Sequence, residues 1–254
     1  MDQFSLTTTP IEQFFNNMLL GTATGFVWSN SGKYYLITNW HVVTLRIFPT
    51  REYIKTHGGR PNMLRARFNF AAQVFEKQQF DIRIRDDDDR PLWLVHPARN
   101  VDIAVIPLLL SENQKALVNL YPMNEITVTG LAVYIGMDVF ILGYPFGAGP
   151  PAYPIWKRGS IASEPDLARL TTDYLLVDTA SRPGMSGAPV ILRSWGNHIV
   201  QANIAARDDM VATKFIGVYS GRLRTKDSTD AQIGVVWPAE FINEIIAGNK
   251  RDVD

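Results

Sequence analysis

The chain of 254 residues contains no cysteine. It can therefore hold no disulfide framework, no thiolate metal site and no cysteine nucleophile. Net charge is missing too: 25 lysines and arginines balance 25 aspartates and glutamates. No overall field draws the molecule toward nucleic acid or an acidic membrane surface. No window approaches the roughly 18 apolar residues of a membrane-crossing helix. Met1-Asp2-Gln3-Phe4-Ser5 has neither the basic segment nor the apolar run of a secretory leader. A cytoplasmic protein with no nucleic-acid or membrane partner is the expectation. Histidine is scarce, with four residues (His41, His57, His96 and His198), and none stands in a His-x-x-x-His pair. Neither a metal nor an organic cofactor is expected. There is no internal repeat, and the one biased segment is Asp86-Asp87-Asp88-Asp89. It reads as a solvated hairpin tip; a calcium loop alternates its ligands instead of placing them consecutively.

What the chain does have is 46% hydrophobic residues, enough for one domain or two small barrels. Its most informative stretch is Arg182-Pro183-Gly184-Met185-Ser186-Gly187-Ala188-Pro189-Val190, a serine between glycines with apolar runs on both sides. Glycine opens backbone angles closed to other residues, so the turn can aim successive N–H groups at one point. If those of Gly184 and Ser186 converge, they form a pocket for a negatively charged oxygen. The plain reading of such a stretch is an ordinary tight turn. A serine nucleophile also needs a base, usually a histidine oriented by a carboxylate. His41 ends the β-rich run Tyr35-Leu36-Ile37-Thr38-Asn39-Trp40-His41-Val42-Val43. Asp102 heads the apolar strand Val101-Asp102-Ile103-Ala104-Val105-Ile106.

Ile37-Thr38-Asn39-Trp40-His41-Val42-Val43, Val101-Asp102-Ile103-Ala104-Val105 and Gly184-Met185-Ser186-Gly187-Ala188-Pro189 resemble, in this order, the three signatures of trypsin-like (chymotrypsin-fold) serine peptidases. They sit nearest the bacterial HtrA/Deg branch. Ile141-Leu142-Gly143-Tyr144-Pro145-Phe146-Gly147 resembles the turn that opens the second barrel there. The resemblance implies an all-β chain of two six-stranded antiparallel barrels, with an N-terminal and a C-terminal helix. It implies a serine endopeptidase whose triad is His41, Asp102 and Ser186 and whose oxyanion hole is built by the N–H groups of Gly184 and Ser186. Its partner is then a protein or peptide substrate; the oligomeric state is left open. Members activated by clipping carry an aspartate before the serine; Met185 has no charge, so no clipping is expected. Members that cut after basic residues carry an aspartate six positions before the serine; Ala180 stands here, and a small or apolar residue before the scissile bond is expected. Tyr219, Ser220 and Gly221 would wall the specificity pocket, with Tyr219 narrowing it and the Tyr219–Gly221 edge pairing with the peptide. Arg182 at the pocket mouth would instead favour an acidic residue. The branch often adds a peptide-binding module after the peptidase; none is expected in this sequence.

Along the chain, Thr9-Pro10-Ile11-Glu12 reads as a helix start, and the spacing of Ile11, Phe14, Phe15, Met18 and Leu19 predicts a helix covering a barrel end. The first barrel is expected over residues 20–120, the second over 121–237 and a closing helix over 238–248. Strands are predicted at Gly21–Trp28, Tyr34–Thr38, Met63–Phe70, Gln79–Arg85, Asp138–Leu142, Lys157–Ile161, Tyr174–Thr179, Val190–Leu192, Lys214–Tyr219 and Gln232–Val236. His57 reads as a loop residue and His96 as structural. Two other functions compete. An α/β-hydrolase esterase would need Gly-x-Ser-x-Gly, a helix after the serine and its histidine last; Ala188 and Pro189 fit neither need. A peptidase-fold module with a collapsed oxyanion loop, serving as a latent or binding scaffold, is the second alternative.

Overall fold

The computed structural model describes residues 1–54, 59–73, 75–126, 131–147, 153–180, 182–195, 211–223 and 232–253. The chain opens with one helical turn, α1 (Gln3–Thr7), whose start is capped by Asp2 accepting from the Phe4 N–H at 3.0 Å. Next come β1 (Thr8–Phe15), β2 (Met18–Asn30), β3 (Lys33–Thr38) and α2 (Trp40–Thr44). These are followed by β4 (Met63–Phe70), β5 (Lys77–Arg83), β6 (Leu94–Val95), β7 (Ala104–Pro107), α3 (Glu112–Leu117) and β8 (Val118–Asn119). The second half holds β9 (Asp138–Gly143), β10 (Ile155–Ile161), α4 (Pro165–Thr171), β11 (Leu175–Asp178), β12 (Pro189–Ser194), β13 (Ala212–Arg222) and β14 (Ile233–Pro238). α5 (Glu240–Gly248) and β15 (Lys250–Arg251) end the chain.

The second half closes into a six-stranded barrel in the order β10-β11-β14-β13-β12-β9. The first half is a nine-stranded sheet following the path β15-β6-β7-β3-β2-β1-β4-β5, with β8 on β4. It exceeds the expected six because two-residue strands add to it, among them β15, which returns from beyond the closing helix to pair with β6. One apolar cluster fills the sheet (Ile11, Leu36, Leu64, Trp93 and Ile106) and another the barrel (Val139, Ile141, Val177, Val190 and Val236). A third joins the halves through Phe26, Ile37, Leu142, Ile191, Trp237 and the α5 residues Phe241 and Ile245.

The helix expected at Thr9–Leu19 is instead β1, the turn and the start of β2, paired from Thr8↔Phe26 to Phe15↔Met18. The inward positions of β1 are Thr9, Ile11 and Gln13. Two of these three are polar, so the period of two is hidden in the sequence. Both are satisfied inside: Gln13 donates to the Val42 carbonyl, and Thr9 Oγ1 donates to the Arg67 carbonyl at 2.7 Å and accepts the Arg67 N–H at 2.9 Å. Pro10 is tolerated because pairing with β4 begins one residue later, at Ile11↔Ala66. A bulge between Gln13 and Phe14 then breaks the alternation.

Candidate active site

β3 ends at Thr38 and delivers Asn39, whose side-chain amide donates to the Asp102 carbonyl at 2.7 Å. The chain segments carrying His41 and Asp102 are thus tied together before their side chains meet. The Asp102 carboxylate is fully buried. Its Oδ1 accepts the His41 backbone N–H at 2.9 Å, and its Oδ2 lies 2.7 Å from His41 Nδ1. The Ser220 hydroxyl also donates to Oδ2. Three donors converge on one dry carboxylate, so a buried charge there is compensated. His41, Asp102, Ser186, Ser220 and Gly221 line one cleft of ≈ 700 Å³, whose remaining wall includes Phe48, Tyr174 and Trp237.

The serine loop is shaped by contacts from both halves. Gly184 has φ 92°, and a β-carbon on it would fall 2.3 Å from the Tyr144 carbonyl oxygen. Gly187 has φ 83°, and a β-carbon there would lie 2.2 Å from the Thr24 carbonyl oxygen. Neither position admits another residue without a shift of backbone. Thr24 on β2 acts as a clamp: its Oγ1 donates to the Gly184 carbonyl at 2.7 Å and accepts the Tyr144 N–H at 3.0 Å, while its N–H donates to the Ser186 carbonyl at 2.8 Å. The Pro183 carbonyl accepts the Phe146 N–H at 2.8 Å, and the Met185 carbonyl accepts from Ala188 at 3.1 Å. In a trans peptide the carbonyl and the following N–H point opposite ways. The N–H groups of Gly184 and Ser186 therefore point away from Phe146 and Ala188, and neither has an acceptor among the described residues.

The family model of the trypsin-like peptidase domain matches residues 23–197, more than half of the chain. The chain belongs to the trypsin-like peptidase family. Among solved structures it is similar to a serine endoprotease from Yersinia pestis, at 14% identity and a TM-score of 0.53; the match covers 96% of this chain and 64% of that one. It is also similar to the MamO protease domain from Magnetospirillum magneticum (apo form), at 14% identity and a TM-score of 0.51, covering 95% of this chain and 96% of that one. These two likenesses carry the fold alone. None of the curated proteins matches the chain significantly.

Other predicted residues fall in different places. Ser220 holds Asp102 as well as lining the cleft. Tyr219 is a correction: it is 1% exposed, and its N–H and carbonyl are taken by Ala188 and Gly187 of the serine loop. Its ring covers Gly234, where a β-carbon would come within 2.4 Å of it. The available edge of β13 starts at Ser220, not Tyr219. Ala180 is half-buried and is not among the cleft-lining residues. Arg182 is exposed, Met185 is buried in the barrel cluster against Gly143, and His57 and His198 lie outside the described residues. Asp86 accepts the N–H groups of Asp88 and Arg90, which turns the chain there; the Arg90 N–H foremost holds its carboxyl below the ordinary range. Asp87 and Asp89 pair with Arg83 and Arg60. Thr24, Asn39 and Phe146 were missed as site residues. The signal for Thr24 was a polar residue among glycines and alanine in an otherwise apolar strand, which marks a close approach by another chain segment.

Proposed function

We propose that the chain is a serine endopeptidase that cuts through a Ser186 acyl-enzyme. The observation that carries this reading is the buried Asp102 held against His41 on the cleft that also holds Ser186. In this mechanism the Ser186 oxygen attacks the substrate carbonyl carbon and its proton passes to His41 Nε2. Asp102 keeps the other ring nitrogen protonated and stabilises the imidazolium. The negative oxygen of the intermediate receives hydrogen bonds from the Gly184 and Ser186 N–H groups, each worth about 3 kcal/mol of barrier. His41 returns the proton to the leaving amine as the C–N bond breaks. A water molecule, deprotonated by His41, then attacks the ester and releases the acid and the Ser186 hydroxyl.

A collapsed oxyanion loop would turn the Pro183 carbonyl toward the serine. Its hydrogen bond to Phe146 instead supports a loop already set for the reaction. The apolar wall formed by Ile47, Phe48, Tyr174, Leu223 and Trp237 supports apolar side chains next to the scissile bond. Treatment with a fluorophosphonate, followed by intact mass, tests the proposal. One adduct per chain is expected, absent from Ser186→Ala. A folded wild-type chain that gains no mass would overturn it and bring the scaffold reading forward.

A further inference from the structure

A second concavity of ≈ 490 Å³ adjoins the cleft. Its volume is in the range that accepts a small ligand or a few residues of peptide. Pro49 lines both, and the segment 100–102 runs from one into the other. Arg51, Arg99, Lys250 and Arg251 line this groove, although the whole chain carries a net charge of zero. Among the described lining residues Asp252 is the one acid; it is buried, and its Oδ2 accepts the indole N–H groups of Trp40 at 2.7 Å and Trp93 at 3.1 Å.

Two of the four cations are held by neutral groups. The Arg51 guanidinium donates to Asn100 Oδ1 at 3.3 Å and lies over the Trp40 ring at 5.0 Å. Lys250 donates to the Pro97 carbonyl at 3.2 Å. A neutral acceptor orients a cation without cancelling its charge. Arg99 pairs with Asp173, and Arg251 acts on Asp86 through space. The groove therefore keeps an excess of positive charge beside the reacting groups.

We infer that this groove receives an acidic stretch of the substrate polypeptide while the cleft holds the scissile bond, an inference that rests on the peptidase reading. Three features favour a peptide as the occupant: the charge complementarity, the continuity with the cleft at Pro49, and walls of proline and indole that match a single extended chain. A duplex or a membrane plane would need a broad convex or flat basic face. Pairs across such a rim act on encounter rate and affinity and weaken as salt shortens the screening length to about 8 Å.

The test uses peptides that share one cleavage sequence and carry a run of glutamates, or of glutamines, on either flank. Binding to Ser186→Ala is read by fluorescence anisotropy, and cleavage by wild type as kcat/KM. The glutamate peptide is expected to bind about tenfold more tightly on one flank, with a matching rise in kcat/KM, both fading at high salt. Arg51→Glu and, at an exposed position, Arg251→Gln are each expected to shrink the glutamate-to-glutamine ratio. Equal binding of both peptides overturns the inference, as does tighter binding of a single-stranded oligonucleotide. The binding arm decides the inference even if wild type cuts neither peptide, an outcome that counts against the peptidase reading alone.

Discussion

Two histidine–carboxylate pairs flank the same stretch of chain, and they differ in what is left over. His41 spends Nδ1 on Asp102, and its Nε2 has no acceptor or donor among the described residues. His96 spends both nitrogens: Nε2 lies 2.8 Å from Glu244, and Nδ1 accepts the N–H groups of Ala98 at 3.2 Å and Arg99 at 2.9 Å. Two backbone donors on Nδ1 fix the proton of His96 on Nε2. The burial is also reversed. At the cleft the carboxylate is dry, with its side chain 1% exposed, and the histidine is 24% exposed; at the other pair the histidine is 4% exposed and Glu244 48%. A buried acid that holds a histidine with one free nitrogen suits proton transfer. A buried histidine with no free nitrogen pins the loop that leads into Asp102. The same two residue types thus do different work because of what surrounds them.

The sharpest way to break this comparison is Asp102→Asn, which keeps the shape but presents an amide to His41 Nδ1 and favours the wrong tautomer. kcat is expected to fall about 10³–10⁴-fold, measured on a peptide substrate, with the fold retained by circular dichroism. A loss under tenfold would place Asp102 with Glu244, as a carboxylate that merely holds its histidine. Next comes Thr24→Val, which preserves volume and removes the hydroxyl that holds the Gly184 carbonyl and the Tyr144 N–H. Loss of this clamp is expected to lower kcat about 10–100-fold with a smaller change in KM, and to cost about 2 kcal/mol in denaturant unfolding because two buried groups lose their bond. The smallest effect on turnover belongs to His96→Ala. It removes a buried ring that packs on Phe241 and the acceptor of two backbone N–H groups, so about 1–3 kcal/mol of stability is expected to go. The loss should register in the unfolding midpoint; a kcat drop as large as that of Asp102→Asn would erase the distinction between the pairs.

Much of the candidate site was legible because its chemistry is written in short segments. The turn around Ser186 needs glycines at 184 and 187, and both adopt positive φ where a side chain would strike backbone. The strand before His41 and the strand after Asp102 show their apolar runs directly, and β4 begins and ends at the predicted residues. Legibility failed where polar residues face inward. Thr9 and Gln13 on β1 satisfy their side chains by hydrogen bonds to Arg67 and Val42, residues no local pattern could announce. The remaining apolar residues then mimicked a helical period. Tyr219 failed for a related reason: its place beside Ser220 suggested the pocket wall, but bonds to Ala188 and Gly187 turned its backbone into a support for the serine loop.

The resemblance carried by three short segments was enough to point to the family and to His41, Asp102 and Ser186 as candidates, and composition to a chain without thiol chemistry. Folding alone settled that His96 meets Glu244, how the serine loop is clamped, and where the cations gather. Those outcomes rest on contacts between distant parts of the chain: Thr24 reaches Gly184 across 160 residues, and Trp40 reaches Asp252 across 212. A hydrogen bond of that span has no local signature, because it depends on two surfaces being buried together, and burial is a property of the packed molecule.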